Sequence, residues 1–170
     1  MWFIFGDVEA RAWFVAGTQF YEGPVNNHDF KNFELMVDVL TAPNANGGVY
    51  FHTAFQDSGF PKKGFEVQVN NTHRDPVKTG SLYHVKDLGA DDIKGITKDN
   101  EWFTEHIIVQ DMTVIIELND KEVVEWTQPA NWDGGREGPG RAIDRGTIAL
   151  QGHDPNSTVS YKNIRIKPLP

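Results

Sequence analysis

The feature that most constrains this chain is a two-residue alternation of apolar and polar side chains. Between Phe33 and Val39 every odd position is apolar, while Glu34 and Asp38 lie between them. A period of two is typical of a strand with one face in the core. Similar stretches recur at Val49–Ala54, Phe65–Asn70, Trp102–Gln110, Thr113–Asn119, Glu122–Trp126, Thr147–Gln151 and Val159–Lys167.

Two local signals refine the strand pattern. Asn119 and Asp120 separate two strand-like runs, and both residue types tolerate the left-handed backbone of a tight hairpin turn. In the last strand the apolar parity changes after Tyr161, which predicts a bulge or bend near Lys162 and Asn163.

The strands are short, and no amphipathic helix is present to cover parallel crossovers, so an antiparallel all-β sandwich is predicted. A chain of 170 residues fits a single domain, which we expect to span residues 1–170. Long irregular stretches at 87–100 and 127–145 interrupt the pattern. Long loops in a compact domain are more often functional than idle.

Charge and composition exclude several partners. The formal net charge is -8 and the longest basic run is Lys62-Lys63, so nucleic acid and anionic membrane surfaces are not expected partners. The chain has no cysteine, which excludes disulfides and thiolate metal sites. The opening MWFIFGDVEARAW has an apolar run of only five residues, which is too short for a signal peptide or a membrane span. We expect this chain to begin inside a longer natural one.

The strand at 64–70 carries the strongest candidate site. Phe65, Val67 and Val69 supply its apolar face, so Glu66, Gln68 and Asn70 project together from the other. These side chains can hydrogen-bond sugar hydroxyls, and the carboxylate can also act as a base. An ordinary solvated outer face explains the same pattern equally well.

Histidines and a glycine-rich loop supply further candidates. His52 shares the side of Tyr50 in its strand, which predicts that it lies away from the core, and His73 lies in the turn after Asn70. In the loop, Trp132 can stack on a pyranose ring, and Arg136 and Arg141 can each hold a sugar oxygen. A tryptophan that only anchors the loop is an equally good interpretation.

Absent motifs narrow the chemistry. The sequence has no phosphate-binding glycine loop, two-histidine zinc helix, calcium loop or nucleophile-elbow serine. Direct glycoside hydrolysis needs two carboxyl groups, and Glu66 has no strand partner at a spacing of two or four. A mechanism with one base fits better. No cofactor is evident, and a divalent metal stays open.

The order and spacing of several segments identify a family resemblance. GGVYFHT, GFEVQVNNTHRDPVKTGSLY, EWFTEHIIVQ, LNDKEVVEW and GTIALQGHDPNSTVSYKNIRIKPL resemble the 3-keto-disaccharide hydrolase domain family from about residue 30 to 169. The resemblance implies a concanavalin-like jelly roll, exported to the periplasm or secreted by bacteria, that cleaves glycosides oxidised at carbon 3. Many members of that family carry Arg where this chain has His52.

The resemblance also implies roles for the candidate residues. Glu66 would remove the proton on carbon 2, and His52 or His73 would assist the enolate or the leaving group. The side chains that would orient sugar hydroxyls are Gln68, Asn70, Tyr83, Lys86 and Gln151. A non-catalytic carbohydrate-binding module of a larger secreted protein is the alternative, with a carbohydrate as the partner in both cases.

Overall fold

The structure is a computed structural model that describes residues 3–5, 8–11, 19–21, 30–54, 56 and 59–170. The first three ranges are short strands, described here by their pairing alone. Within the described ranges, no helix is long and apolar enough to cross a membrane.

The described chain forms two antiparallel sheets. Its strands are β1 (Phe3–Phe5), β2 (Val8–Arg11), β3 (Gln19–Tyr21), β4 (Phe33–Thr41), β5 (Gly47–Thr53), β6 (Phe65–Val69), β7 (Phe103–Gln110), β8 (Thr113–Leu118), β9 (Lys121–Thr127), β10 (Thr147–Gly152) and β11 (Thr158–Pro168). The larger sheet has the order β1-β11-β4-β7-β8-β9, with β2 also paired to β11. The smaller sheet has the order β3-β10-β5-β6.

The predicted alternation is confirmed in the larger sheet. In β4 and β7 buried side chains alternate with half-buried ones, as expected for a sheet with one face in the core. Ile107 and Val109 point inward from β7 and pack in the same apolar core as Val49 and Val67 of the smaller sheet. The core therefore fills the space between the two sheets.

Both local predictions are also confirmed. Asn119 and Asp120 have positive φ angles of 49° and 62° and connect β8 to β9, as a two-residue hairpin turn requires. In β11 the pairing register to β4 shifts between Lys162 and Arg165, and Asn163 has a φ of 50°. The extra residue lets the strand keep its apolar side chains inward on both sides of the bulge.

The smaller sheet is buried on both faces, which distinguishes it from the larger one. Every residue of β5, β6 and β10 is buried. The outer edge of β6 is paired by the following loop, where Gln68 N–H donates to Ser81 O at 3.0 Å and Tyr83 N–H donates to Glu66 O at 2.9 Å. This edge pairing fixes the position of Tyr83 next to Glu66.

One acidic side chain lies inside the core. Glu105 of β7 has no exposed surface, and neither carboxyl oxygen has a hydrogen-bond partner among the described residues. Burial, together with the charge of Glu66, raises its pKa well above the usual value. Glu105 is therefore held as the neutral acid in the folded protein, because an unpaired buried carboxylate is strongly disfavoured.

This buried acid predicts a pH-dependent effect of Glu105→Gln on stability. The folded state keeps the proton while the unfolded chain releases it, so Glu105 lowers stability as pH rises through and above its unfolded pKa. The advantage of the variant should grow by about 1.4 kcal/mol per pH unit until the folded pKa is reached. Urea unfolding at pH 5 and pH 8 measures this difference.

The exposed Glu122 of β9 supplies a matched control, since Glu122→Gln removes the same charge at the surface. Its effect on the free energy of unfolding should be small at both pH values. An equal effect of Glu105→Gln at pH 5 and pH 8 would show that Glu105 ionises normally.

Candidate active site

A cleft of two joined pockets opens on the face of the smaller sheet that points away from the core. We call them the inner pocket, with a volume of about 230 Å³, and the outer pocket, of about 610 Å³. The inner pocket is lined by Asn46, Tyr50, Phe60, Glu66, Gln68, Tyr83, His84, Glu137, Arg141, Gln151 and His153. The residues common to both pockets are Asn46, Tyr83, His84 and His153.

Glu66 lies at the floor of the inner pocket. It faces away from Phe65 and Val67, which lie in the core, as the strand pattern predicts. Its side chain rests on the backbone of Gly48 in the neighbouring strand, where any Cβ would collide with the carboxyl group. Glycine at position 48 is therefore required for this placement of Glu66.

A directed hydrogen-bond chain holds the Glu66 carboxylate. The Gln151 amide donates to the Tyr50 hydroxyl at 3.0 Å, and that hydroxyl donates to Glu66 Oε2 at 2.6 Å. Burial, followed by the charge of Glu66, raises the pKa of Tyr50 well above its usual value, so the phenol keeps its proton. Tyr50 is thus a permanent donor to Glu66.

The environment of Glu66 makes it a base for neutral pH. Burial raises its pKa to about 7, although the hydrogen bond from Tyr50 and the charge of Arg141 act in the opposite direction. A general base is most effective when its pKa lies near the working pH. Glu66 can therefore take up and release a proton near pH 7.

Three buried amides in the inner pocket have unused acceptor oxygens. Asn46 Oδ1, Gln68 Oε1 and Gln151 Oε1 have no hydrogen-bond partner among the described residues. Their amide nitrogens are already engaged, for example by Val77 O and by the Tyr50 hydroxyl. Buried acceptors without partners are costly, so a hydroxyl donor that reached these oxygens would stabilise the pocket.

His73 lies in the outer pocket as a neutral donor. Its Nδ1 accepts from the backbone N–H of Asp75 at 3.2 Å and from Asn46 Nδ2 at 3.4 Å, which leaves the proton on Nε2. Burial lowers its pKa, so the neutral ring is favoured. Beside it, the Tyr83 hydroxyl donates to Asp75 Oδ2 at 3.1 Å.

The boundary between the two pockets is formed partly by a histidine between two charged groups. His84 Nδ1 contacts Glu137 Oε1, and Arg136 Nη1 lies 3.2 Å from His84 Nε2. The His84 ring stacks on Tyr83 with centroids 3.9 Å apart. His84 and the loop that holds Arg136 and Glu137 thereby close one side of the cleft.

The structure corrects the predicted position of His52. A bulge in β5 opposite Thr147–Ala149 gives His52 a φ of 56° and ends the alternation that Tyr50 follows. His52 is fully buried, its ring packs against Phe33 and Phe51, and Nε2 lies 2.8 Å from Lys31 O. It lines neither pocket and is not carried forward as a catalytic residue.

Asn70 and Lys86 also lie outside the cleft. Asn70 follows the end of β6, where its amide donates to the backbone oxygens of Asp75 and Val77 and so shapes the turn. Lys86 is exposed, and its ammonium donates to Glu125 O at 3.2 Å. Neither side chain lines either pocket.

Trp132 anchors the glycine-rich loop instead of facing the cleft. Its indole N–H donates to Arg141 O, and its ring packs edge-on against Trp126 with centroids 5.1 Å apart. The contacts of Trp132 are therefore those of a residue that anchors the loop. Arg136 of the same loop lines the outer pocket. Gln68, Tyr83 and Gln151 line the inner pocket, and their role in orienting sugar hydroxyls stays a prediction.

Sequence reasoning missed several residues of the inner pocket. Tyr50 shares the cleft side of β5, and its alternation could have identified it. Glu137 and His84 are 53 residues apart, and no local pattern predicts that they meet. Arg141, named from the sequence with Arg136 as a residue that could hold a sugar oxygen, was not missed: it lines this pocket, where it is buried and donates to Gly64 O at 3.0 Å.

The sequence matches the family described as the 3-keto-alpha-glucoside-1,2-lyase-like domain over residues 18–167, well over half of its length. The chain belongs to this family. The match covers every strand that contributes to the cleft and confirms the family resemblance. No curated protein matches the chain.

Solved structures similar to this family member confirm the predicted jelly-roll sandwich. A candidate glycosyl hydrolase from Parabacteroides distasonis ATCC 8503 is 20% identical with a TM-score of 0.71, and the match covers 91% of this chain and 82% of that one. A second from the same organism is 21% identical with a TM-score of 0.64, covering 83% and 80%. The carbohydrate-binding module CBM66 from Bacillus subtilis is 12% identical with a TM-score of 0.55, covering 98% and 95%.

Clustered metal ligands are absent among the described side chains. Within the described part of the chain, no three His, Cys, Asp or Glu side chains gather where they could hold a metal ion. Among the described residues, the carboxylates that line the oxygen-rich inner pocket are Glu66 and Glu137.

The hydrogen bond from Tyr50 predicts a measurable shift in Glu66. Tyr50→Phe removes a donor that favours the charged carboxylate, so the pKa of Glu66 should rise above its value of about 7. Carbon-13 NMR titration of the Glu66 side-chain carboxyl group measures this pKa directly.

Tyr83→Phe is the matched control, because Tyr83 lines the same pocket but donates to Asp75. It should leave the Glu66 titration close to that of the unmodified protein. A Glu66 pKa that falls, or does not move, in Tyr50→Phe would contradict the assigned role of the tyrosine.

Proposed function

We propose that this chain cleaves glycosides whose sugar ring carries a ketone at carbon 3, with Glu66 as the general base. The single observation that carries the proposal is the Glu66 carboxyl group, buried at the floor of the cleft with a pKa of about 7. Membership of a family named for a 3-keto-alpha-glucoside lyase supports the substrate class.

The 3-keto group makes this chemistry accessible to one base. The ketone acidifies the hydrogen on carbon 2, and Glu66 takes that proton while the C–H electrons form an enolate. The enolate then expels the glycosidic oxygen from carbon 1, leaving a double bond between carbons 1 and 2. Water adds to carbon 1, and Glu66, after exchanging its proton with water, gives a proton to carbon 2, so the net reaction is hydrolysis.

The remaining inner-pocket residues suit the other requirements of this route. Arg141 brings a guanidinium to the pocket and is the group we assign to the developing enolate oxygen. The unused oxygens of Asn46, Gln68 and Gln151 would accept hydrogen bonds from sugar hydroxyls. In the outer pocket, Nε2–H of neutral His73 would donate a hydrogen bond to a hydroxyl of the leaving sugar.

A non-catalytic carbohydrate-binding module is the second candidate, favoured by the same unpartnered amide oxygens. Such oxygens bind hydroxyls whether or not a reaction follows. The two functions differ at Glu66, because a binding site has no need for a buried carboxyl group of near-neutral pKa.

Product analysis tests the proposal directly. Incubation with a 3-keto-disaccharide should release 3-ketoglucose, while the unoxidised disaccharide should stay intact. No product from either sugar, with and without added divalent metal, would favour the binding module.

Glu66→Gln should reduce turnover of the 3-keto substrate by at least about 100-fold, since the amide cannot act as a base. Affinity for the substrate should be largely kept, because the amide still hydrogen-bonds hydroxyls. Calorimetry on the variant measures that affinity. Full turnover in Glu66→Gln would assign the base elsewhere.

A further inference from the structure

Among the residues that line both pockets, His84 has the most unusual backbone conformation. It has a φ of 58°, a left-handed conformation that is uncommon for any residue but glycine. Its backbone N–H donates to Asp87 Oδ1 at 2.7 Å, and the turn is closed by Lys86 N–H donating to Leu82 O at 2.8 Å. Strained residues that the surroundings hold in place concentrate at functional sites.

The ring of His84 is oriented by a carboxylate. Nδ1 meets Glu137 Oε1, so Nε2 is the ring nitrogen that can exchange a proton with a ligand. The contact with His84 lowers the pKa of Glu137, which keeps that side chain ionised. A histidine oriented by a carboxylate on one ring nitrogen is a recurring acid–base arrangement, and the other nitrogen of His84 accepts from Arg136 Nη1 at 3.2 Å.

The position of His84 in the cleft also suits acid–base chemistry. His84 lines both pockets, whereas Glu66 lines only the inner one. A glycoside with its oxidised ring over Glu66 and its leaving group in the outer pocket would place the bond to be broken at this boundary. The Arg136 side chain that donates to Nε2 is exposed, so it can yield that place to the leaving oxygen.

On the basis of the proposed function, we propose that His84 is the acid that protonates the leaving oxygen and that Glu137 is its positioning residue. As the bond between carbon 1 and the leaving oxygen breaks, Nε2–H of the imidazolium gives its proton to that oxygen. The neutral ring then takes a proton from the water that adds to carbon 1. His84 ends the cycle in the protonation state in which it began.

Two substrates separate this role from a structural one. A sugar leaving group needs a proton, whereas 4-nitrophenol departs as a stable anion. For His84→Asn we expect kcat/KM to fall by about 100-fold or more on a 3-keto-disaccharide and to change far less on 4-nitrophenyl 3-ketoglucoside. Glu137→Gln should show the same selectivity with a smaller loss.

His106→Asn is the matched control, because His106 also pairs with a glutamate, Glu117 at 2.9 Å, but lies outside both pockets. It should leave both substrates unaffected. If His84→Asn does not fold, His84→Gly suits the positive φ, and added imidazole should restore cleavage of the disaccharide.

The outcomes distinguish the two proposals. Equal losses on both substrates, or no loss on either, would overturn the role of His84 while leaving Glu66 as the base. Failure of the unmodified protein to cleave either 3-keto substrate would overturn the proposed function itself, and the role of His84 with it.

Discussion

The site depends on burying a carboxyl group without fully compensating its charge. Glu66 lies on the face of a sheet that is buried on both sides, with 7% of its surface exposed. Burial raises its pKa, and the Tyr50 hydroxyl and Arg141 limit the rise to about 7. A fully paired carboxylate would be too weak a base at neutral pH, and an unpaired one would stay protonated.

The backbone around Glu66 follows from the same requirement. Gly48 leaves the space in which the carboxyl group lies, and no larger residue fits there. The loop after β6 pairs with the strand edge through Tyr83 and Ser81 and so covers that edge of the sheet. The glycine-rich loop adds Arg141, whose guanidinium lies 5.9 Å from the centroid of the Tyr50 ring.

The strands and the faces from which their side chains project were predictable, because the apolar pattern of the sequence is periodic. The strict alternation of β6 places Glu66 opposite Phe65 and Val67, and the same argument yields Gln68. The alternation argument failed at His52, because a bulge in β5 turns this residue to the other face of the sheet and the local sequence does not reveal the bulge. It failed at Asn70 because the strand ends at Val69 and the amide serves the turn.

Contacts between distant loops were beyond the reach of the sequence. His84 and Glu137 meet across 53 residues, and only the folded loops bring them together. Trp132 had two equally good interpretations, and the choice depended on the position of Trp126. Chemistry-bearing residues on strands were thus easier to predict than those on loops, because strand parity fixes a direction and loop sequence does not.

The central claim is that Glu66 removes the proton on carbon 2, and isotope transfer tests it most directly. A 3-keto-glucoside deuterated at carbon 2 should lose that deuterium to water as it is cleaved, and Glu66→Gln should suppress loss and cleavage together. NMR of the released 3-ketoglucose, with a protein-free sample to measure spontaneous exchange, records the result. Cleavage with the deuterium kept at carbon 2 would contradict the account.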